Sequence, residues 1–182
     1  MARPSRTDPE AWVDAAYARF CTEGLPGLRI EAIARDLGAT KGSFYWHFAD
    51  RRQLVDAVMA RWEIEETDRY IAEVGPEPDP RRRIESLVAM VGHRRPPGED
   101  RLYMTAVAEG VGDIVARVTR RRIGFIAEAL VEYGIEPGEA ERRALIAVAT
   151  MLGIEQLVQG GSFDVLPLRT DTQATMSALL FG

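Results

Sequence analysis

The chain has 182 residues, of which 46% are hydrophobic and 28% charged, a composition typical of globular domains and not of a disordered chain. None of its apolar runs approaches the roughly 20 residues that cross a bilayer, and the N-terminus lacks the hydrophobic segment of a signal peptide. The single cysteine, Cys21, excludes an internal disulfide and is expected to be a small, buried apolar residue. We therefore expect a cytoplasmic protein that has no membrane partner.

The net charge of −5 is unevenly distributed along the chain. Residues 1–62 hold nine basic and eight acidic side chains, whereas residues 63–182 hold fourteen and twenty. An acidic protein with a near-neutral N-terminal segment still permits a local cationic face, so the charge does not exclude nucleic acid. The one lysine among 23 basic residues is Lys41.

Every periodic segment has the helical repeat, and none alternates as a strand does. The first helix begins at Thr7 or Asp8 and ends at Gly24, and proline-rich breaks occur at 75–80 and 94–100. About nine helices are predicted, over roughly 8–24, 29–38, 41–48, 50–74, 79–93, 100–110, 112–133, 136–159 and 172–181. The sequence therefore predicts an all-α protein with two domains, residues 1–62 and residues 63–182.

A short aromatic segment follows the second predicted helix and carries the most informative residues. Phe44 and Phe48, four residues apart, share one helical face and are expected to point inward. A turn containing Gly38 joins this segment to the preceding helix, which is the arrangement of a helix-turn-helix over residues 29–48. The second helix of this motif enters the DNA major groove, with its N-terminal residues leading.

The outward side of this short helix predicts a DNA contact surface. Thr40 and the first-turn N–H groups suit a phosphate, Gly42 allows close backbone approach, and Lys41 suits guanine O6 and N7. Arg51 opens the following helix, where a basic side chain opposes the helix dipole but suits a phosphate. The predicted contacts on this side are Thr40, Lys41, Gly42, Ser43, Tyr45, Trp46, His47 and Arg51. Less specific alternatives are a Trp46 that packs on the first helix, a His47 on an ordinary surface, and a solvated Arg51–Arg52 pair.

The stretch "GLRIEAIARDLGATKGSFYWHFADRRQL" resembles the signature of the tetracycline-repressor (TetR) family of bacterial transcriptional regulators. The resemblance covers residues 8–62 and rests on Ile33-Ala34, Leu37-Gly38, Thr40, Gly42, Ser43, Tyr45, His47, Phe48, Arg51 and Leu54. Arg29 departs from the Ser or Thr usual in the family, although it can still reach a phosphate. Glu31 stands where some members read a base, and it either accepts from a cytosine amino group or favours the helix dipole.

The resemblance implies that residues 63–182 form a helical regulatory domain with a ligand pocket and a dimer interface. Tyr103, Met104, Phe125, Tyr133 and Met151 are candidate pocket residues, and ordinary core packing is the alternative for all five. The run at 144–154 is apolar on every face of its helix, so it requires burial on every side. Its packing on a symmetry mate is the preferred interpretation, and a monomer core helix is the alternative. The predicted interface residues are Met151, Ile154, Val158, Ala174, Ala178 and Leu179.

An enzyme is not predicted, because the sequence contains no catalytic triad spacing, phosphate-cradling glycine motif or metal cluster. No cofactor is predicted, and two histidines with one cysteine are too few for a structural zinc site. We expect a one-component transcriptional regulator, a repressor that binds palindromic operator DNA as a homodimer and is released by a small-molecule effector. The alternative is a helical protein-binding adaptor without DNA contacts.

Overall fold

The structure is a computed structural model that describes residues 8–94, 96–159 and 168–182. All regular elements in these ranges are helical, which confirms the predicted all-α class. The α-helices are α1 Pro9–Glu23, α2 Ile30–Asp36, α3 Lys41–Phe44, α4 Arg51–Glu63, α5 Arg69–Val74, α6 Pro80–Arg94, α7 Pro97–Thr105, α8 Gly112–Tyr133, α9 Pro137–Gln159 and α10 Leu168–Phe181.

One long helical run contains both α4 and α5. A π-helical turn, Ile64–Asp68, connects them without a break, so the run extends from Arg51 to Val74 as predicted. Counted with this run as one helix, the described residues form nine helices.

Short-range capping explains where several helices begin and end. The Asp8 carboxylate accepts from the Glu10 N–H at 3.1 Å, and Gly24 closes α1 with a φ of 73°, a conformation that favours glycine. The Asp50 carboxylate accepts from the Gln53 N–H at 2.9 Å and so caps α4. Thr7, the other predicted cap of the first helix, lies outside the described residues.

Three helices differ most from their predicted bounds. The α-helical part of α3 ends at Phe44 instead of Phe48, because the next three residues form a tighter hydrogen-bonded turn. The helix predicted at 100–110 begins at Pro97, where proline fits a first turn, and ends at Thr105. The final helix begins at Leu168 instead of residue 172.

The helices form two compact units. The first unit contains residues Met1–Glu65 and Pro96–Val115, and the second contains Glu66–Arg95 and Ala116–Gly182. The chain thus changes units near the predicted boundary at residue 62. It also returns to the first unit for α7, which the sequence assigns to the regulatory domain.

The core of the first unit is rich in aromatic side chains. Trp12 and Phe20 of α1, Phe44 of α3 and Trp62 of α4 are fully buried there. Helix α7 lies directly against the end of α1, because a Cβ added at Gly98 would overlap the Phe20 carbonyl oxygen. Burial of four large aromatic side chains accounts for much of this unit's stability, since each contributes about 1.5–3 kcal/mol on transfer from water.

The core of the second unit is aliphatic. Helices α6, α8, α9 and α10 each contribute to one buried cluster, whose members are Ile84, Ile126, Ala129, Leu130, Ala140, Ala144, Ala147, Met176 and Leu180. The alanines on α9 allow its neighbours to approach closely. Among the described residues, no helix combines the length and the hydropathy required to span a membrane.

Candidate nucleic-acid interface

Helices α2 and α3 are joined by the predicted tight turn. Gly38 adopts a φ of 60°, and the Ala39 N–H donates to the Ala34 carbonyl at 2.8 Å. Thr40 then caps α3, because its hydroxyl oxygen accepts from the Ser43 N–H at 3.2 Å. The local sequence therefore closes one helix and starts the next within four residues.

Two phenylalanines anchor the segment to the first unit, as predicted. Phe44 is fully buried and Phe48 is 6% exposed, and their rings stack with centroids 5.2 Å apart. Trp12 meets Phe44 edge-on at 5.4 Å. Trp12 is not among the residues predicted from sequence, although its spacing of four and eight residues from Ala16 and Phe20 indicates the inward face of α1.

The opposite side of the segment is exposed. Trp46 is 79% exposed, and Tyr45 is also exposed. Lys41 and Gly42 are exposed as well, whereas Ser43 and His47 are half-buried. Two buried rings thus support a face that presents aromatic, hydroxyl and cationic groups to the solvent.

Gly42 is not required by the packing of the protein itself. A Cβ added at this position would meet only the Thr40 hydroxyl oxygen, at an ordinary contact distance of 3.7 Å. Its backbone torsion is not in the left-handed region either. The packing of the protein therefore does not require a glycine at this exposed position, and a close approach of DNA to its backbone stays a prediction.

The hydroxyl groups of α3 have partners inside the helix. The Ser43 hydroxyl donates to the Thr40 carbonyl at 2.7 Å, while the Thr40 hydroxyl oxygen accepts from the Ser43 N–H. In this geometry Thr40 retains its hydroxyl proton for donation, whereas Ser43 retains its lone pairs. Contact of either residue with DNA stays a prediction.

Lys41 is paired with Glu31 of α2. The Lys41 Nζ lies 2.6 Å from a Glu31 carboxylate oxygen, and both side chains are more than half exposed. This hydrogen bond lowers the pKa of the Glu31 carboxyl and raises the pKa of the Lys41 ammonium from their ordinary values. Neither alternative considered for Glu31 from sequence, the helix dipole or a cytosine, included this partner.

Arg29 and Arg51 occupy different environments. Arg29 is the exposed N-cap residue of α2, and its side chain does not cap the helix. Arg51 donates to the carbonyl oxygens of Leu28 and Leu25, both at 2.9 Å, and to the Glu109 carboxylate at 3.1 Å. Arg51 therefore secures the segment before α2, a role that the sequence did not predict, and its phosphate contact stays a prediction.

The bend after α7 braces the start of α4 within the first unit. Glu109 reaches Arg51, and the Gly110 carbonyl accepts from Arg52 at 2.9 Å. Arg52 also pairs with Asp56 one turn later. The sequence did not predict these two contacts, because the residues that each contact joins lie 58 positions apart in the chain.

The five predicted pocket residues belong to both units and have different environments. Met104 is 76% exposed, Tyr133 packs edge-on against Phe181, and Met151 contacts the aliphatic core. Tyr103 and Phe125 are half-buried. Their common role in a ligand pocket stays a prediction.

An open groove of about 820 Å³ runs between α8 and α9 in the second unit. Its lining residues are Arg120, Ile123, Gly124, Ala127, Glu128, Val131, Glu132, Pro137, Glu141 and Leu145. None of the five predicted pocket residues lines this groove. No group of three metal-ligating side chains occurs within the ranges that the structure describes.

The predicted dimer residues lie on α9 and α10. Ala174 and Ala178 are exposed, whereas Met151, Ile154 and Leu179 are half-buried within one protomer. The side chain of Val158 lies outside the described residues. Leu145 and Ile146 of α9 are more than half exposed, which leaves apolar surface of this helix uncovered.

The fold and this site define an all-helical protein whose N-terminal unit presents a helix-turn-helix. Residues 13–58 match the family model described as bacterial regulatory proteins, tetR family. This match confirms, for the N-terminal domain, the resemblance to the tetR family seen in the sequence.

Individual curated relatives are similar to part of the chain. An uncharacterized HTH-type transcriptional regulator, TtgW, from a strain of Pseudomonas putida is 40% identical over 48 residues, which are 26% of this chain and 36% of that protein. The HTH-type transcriptional regulator SrpR, also from Pseudomonas putida, is 34% identical over 64 residues, 33% of this chain and 30% of that protein. The chain thus matches about a third of the length of these curated relatives.

The similarity of fold extends over almost the whole chain. The structure of SmeT, the repressor of the Stenotrophomonas maltophilia multidrug efflux pump SmeDEF, superimposes with a TM-score of 0.72 at 18% identity. That superposition covers 96% of this chain and 89% of SmeT. It shows a shared fold for the helices that follow the helix-turn-helix.

Proposed function

We propose that the protein is a one-component transcriptional regulator that represses its target genes by binding operator DNA. The observation that carries this proposal is the exposed face of α3, where Lys41, Gly42 and Trp46 lie outside two buried phenylalanines. A helix of this kind fits the major groove with its N-terminal residues leading. The repressor SmeT, which shares the fold, supports repression over activation.

The proposed contacts divide into two groups. Thr40, Tyr45 and His47 contact phosphates and set the position of the motif, and Arg29 and Arg51 add charge nearby. Lys41 and Ser43 face base edges, and Gly42 lets the backbone approach the groove wall. Trp46 contributes apolar contact beside the backbone.

The uncovered apolar surface of the second unit supports a homodimer. Leu145 and Ile146 of α9 and Ala174 and Ala178 of α10 are exposed in a single protomer. Burial of such a surface against its symmetry mate stabilises association. A two-fold dimer requires a palindromic operator with half-sites about one helical turn apart, or a multiple of it.

The long helical run offers a physical basis for release by a small molecule. Its first part, α4, belongs to the first unit and begins at Arg51, and α5 belongs to the second unit. The π-helical turn between them is a feature that often marks functional sites in helices. A ligand that shifts this run changes the spacing of the two recognition helices in the dimer.

A mobility-shift experiment with fragments of the source genome tests DNA binding directly. We expect a small set of fragments to shift at physiological salt, each containing an inverted repeat. The protein-binding adaptor is the competing function. It would leave every fragment unshifted while the protein still formed complexes with other proteins.

A further inference from the structure

The Lys41–Glu31 pair places a hydrogen-bond donor directly beside an acceptor on the exposed side of the helix-turn-helix. Nζ and Oε1 are 2.6 Å apart, and the two side chains are 53% and 61% exposed. They come from different helices, so the pair depends on the packing of α2 against α3. Such a pair on an open surface contributes little to stability, with typical values of about 0–1 kcal/mol. The two groups can therefore take up partners outside the chain at little cost in stability.

A G·C base pair presents the complementary arrangement in the major groove. Guanine offers two neighbouring acceptors, N7 and O6, and cytosine offers the N4 amino donor next to them. The O6 and N4 atoms are joined by a Watson–Crick N–H···O bond of about 2.9 Å. Their separation is close to the distance between the Lys41 and Glu31 atoms, so the two side chains can meet both bases together.

We infer that Lys41 and Glu31 act as one unit that reads a single G·C base pair in each operator half-site. The Lys41 ammonium donates to guanine O6 and N7, and the Glu31 carboxylate accepts from the cytosine N4 amino group. This inference rests on the proposed function, because it requires α3 in the major groove. It adds the identity of one base pair that the regulator recognises.

The same pair discriminates against A·T. In that base pair the order of groups is acceptor, donor, acceptor and methyl, so a carboxylate on adenine N6 lies next to the N7 lone pair. The ammonium then meets only thymine O4 beside the methyl group and loses its second acceptor. Each good base contact of this type contributes about 1–3 kcal/mol of discrimination.

The pair also reduces the electrostatic repulsion between the Glu31 carboxylate and DNA. A carboxylate in the major groove is repelled by phosphates on both sides, and the adjacent ammonium offsets that repulsion. The hydrogen bond from Lys41 lowers the pKa of the Glu31 carboxyl, so the pair favours the charged carboxylate. Because the pair has no net charge, it alters base preference without adding a phosphate contact.

A double-mutant cycle on the operator recovered from genomic fragments tests this inference. The proteins are the wild type, Glu31→Ala, Lys41→Ala and the double variant, each titrated on operators in which one base pair per half-site is replaced in turn. We expect each single variant to lose roughly tenfold to hundredfold on the native operator. On the operator in which the recognised G·C pair is replaced, we expect the single variants to lose no affinity relative to the wild type. The double variant should lose hardly more than either single variant, because the two side chains act together.

Matched controls come from the Glu139–Arg142 pair on α9, which is also an exposed ion pair. Glu139→Ala and Arg142→Ala should leave the base preference unchanged. Additive losses in the cycle, or equal losses on every operator, would overturn the inference while leaving operator binding intact. If the wild type selects no fragment at all, the proposed function fails and not merely the base assignment.

Discussion

At the level of a single residue, a substitution at Gly42 distinguishes a DNA-binding role from a structural one. Gly42→Ala adds one methyl group where the chain has room for it, so we expect no loss of thermal stability. The same methyl group would hold the α3 backbone away from the groove wall. We predict a fall in operator affinity of at least about tenfold, comparable to a lost contact of about 1–3 kcal/mol. Titration of labelled operator together with thermal melting checks both parts.

Gly124→Ala is the matched control for this change. Gly124 lies within α8, and an added Cβ would meet no other atom within 4 Å. Alanine favours the helix by up to about 1 kcal/mol, so this variant should melt slightly higher and bind operator normally. If the Gly42→Ala variant bound operator with full affinity, the proposed position of α3 in the major groove would be contradicted.

Arg51 combines a structural role with a proposed phosphate contact. Arg51→Ala removes hydrogen bonds to Leu25, Leu28 and Glu109. We expect it to destabilise the protein by about 1–2 kcal/mol. It should also reduce the salt dependence of operator binding by about one unit of slope.

Arg51→Lys distinguishes the two roles. A lysine keeps the charge but cannot reproduce the planar contacts to two carbonyl groups, so it should restore the salt slope but only part of the stability. An unchanged melting temperature in Arg51→Ala would contradict the structural role. An unchanged salt slope would contradict the phosphate contact.

At the level of helices, the contact of α7 with α1 depends on one glycine. Gly98→Ala places a methyl group on the Phe20 carbonyl oxygen, and the helices must separate to accommodate it. Overpacking of this kind costs about 1–3 kcal/mol, so we predict a lower melting temperature in chemical or thermal unfolding. Gly124→Ala serves again as the control. Equal stability of Gly98→Ala and the wild type would show that α7 does not pack on α1 at this point.

The helices that the sequence predicted well are those set by local signals. Asp8, Gly24 and Asp50 mark helix ends through neighbours within a few residues, and the spacing of Phe44 and Phe48 fixed the inward side of α3. These interactions can be read from a short window of sequence.

The missed features depend on residues far apart in the chain. Glu109 meets Arg51 across 58 positions, and Glu31 meets Lys41 across 10 positions and a turn. No periodicity or cap signals such partners. The sequence therefore predicts only a DNA contact for Arg51, and it does not indicate the ammonium neighbour of Glu31. The pocket prediction rests on chemical type, and whether those aromatic and methionine side chains share a cavity stays a prediction.

For the whole molecule, the proposed dimer makes a prediction about Ala178. Ala178 is exposed on α10, so Ala178→Glu should fold and yet place a charge in the interface. We expect monomers by light scattering and a large loss of operator affinity, because one half-site alone binds weakly. Leu179 is less suitable for this test because it also packs against the aliphatic core.

The matched control for the dimer is Ala72→Glu, the same chemical change at an exposed position of α5. This variant should remain a dimer. A dimeric Ala178→Glu variant would place the interface on another surface.

The proposed switch predicts reciprocal coupling between effector and operator. A hundredfold loss of DNA affinity corresponds to about 2.7 kcal/mol, which lies within the usual range of coupling energies. Operator DNA must then weaken effector binding by the same factor. Calorimetry with an inducing compound, with and without operator, measures both constants. Identical effector affinities in the two titrations would exclude the switch.

Operator selection by the recognition helix is the central claim, and sequencing of genomic fragments retained by the purified protein tests it most directly. The selection should be run in parallel with the wild type, Gly42→Ala and Gly124→Ala at one salt concentration. The account predicts that wild type and Gly124→Ala enrich the same inverted repeat, with half-sites about one helical turn apart or a multiple of it, and that Gly42→Ala loses the enrichment. Enrichment of no fragment by the wild type, or the same repeat retained equally by Gly42→Ala, would contradict it.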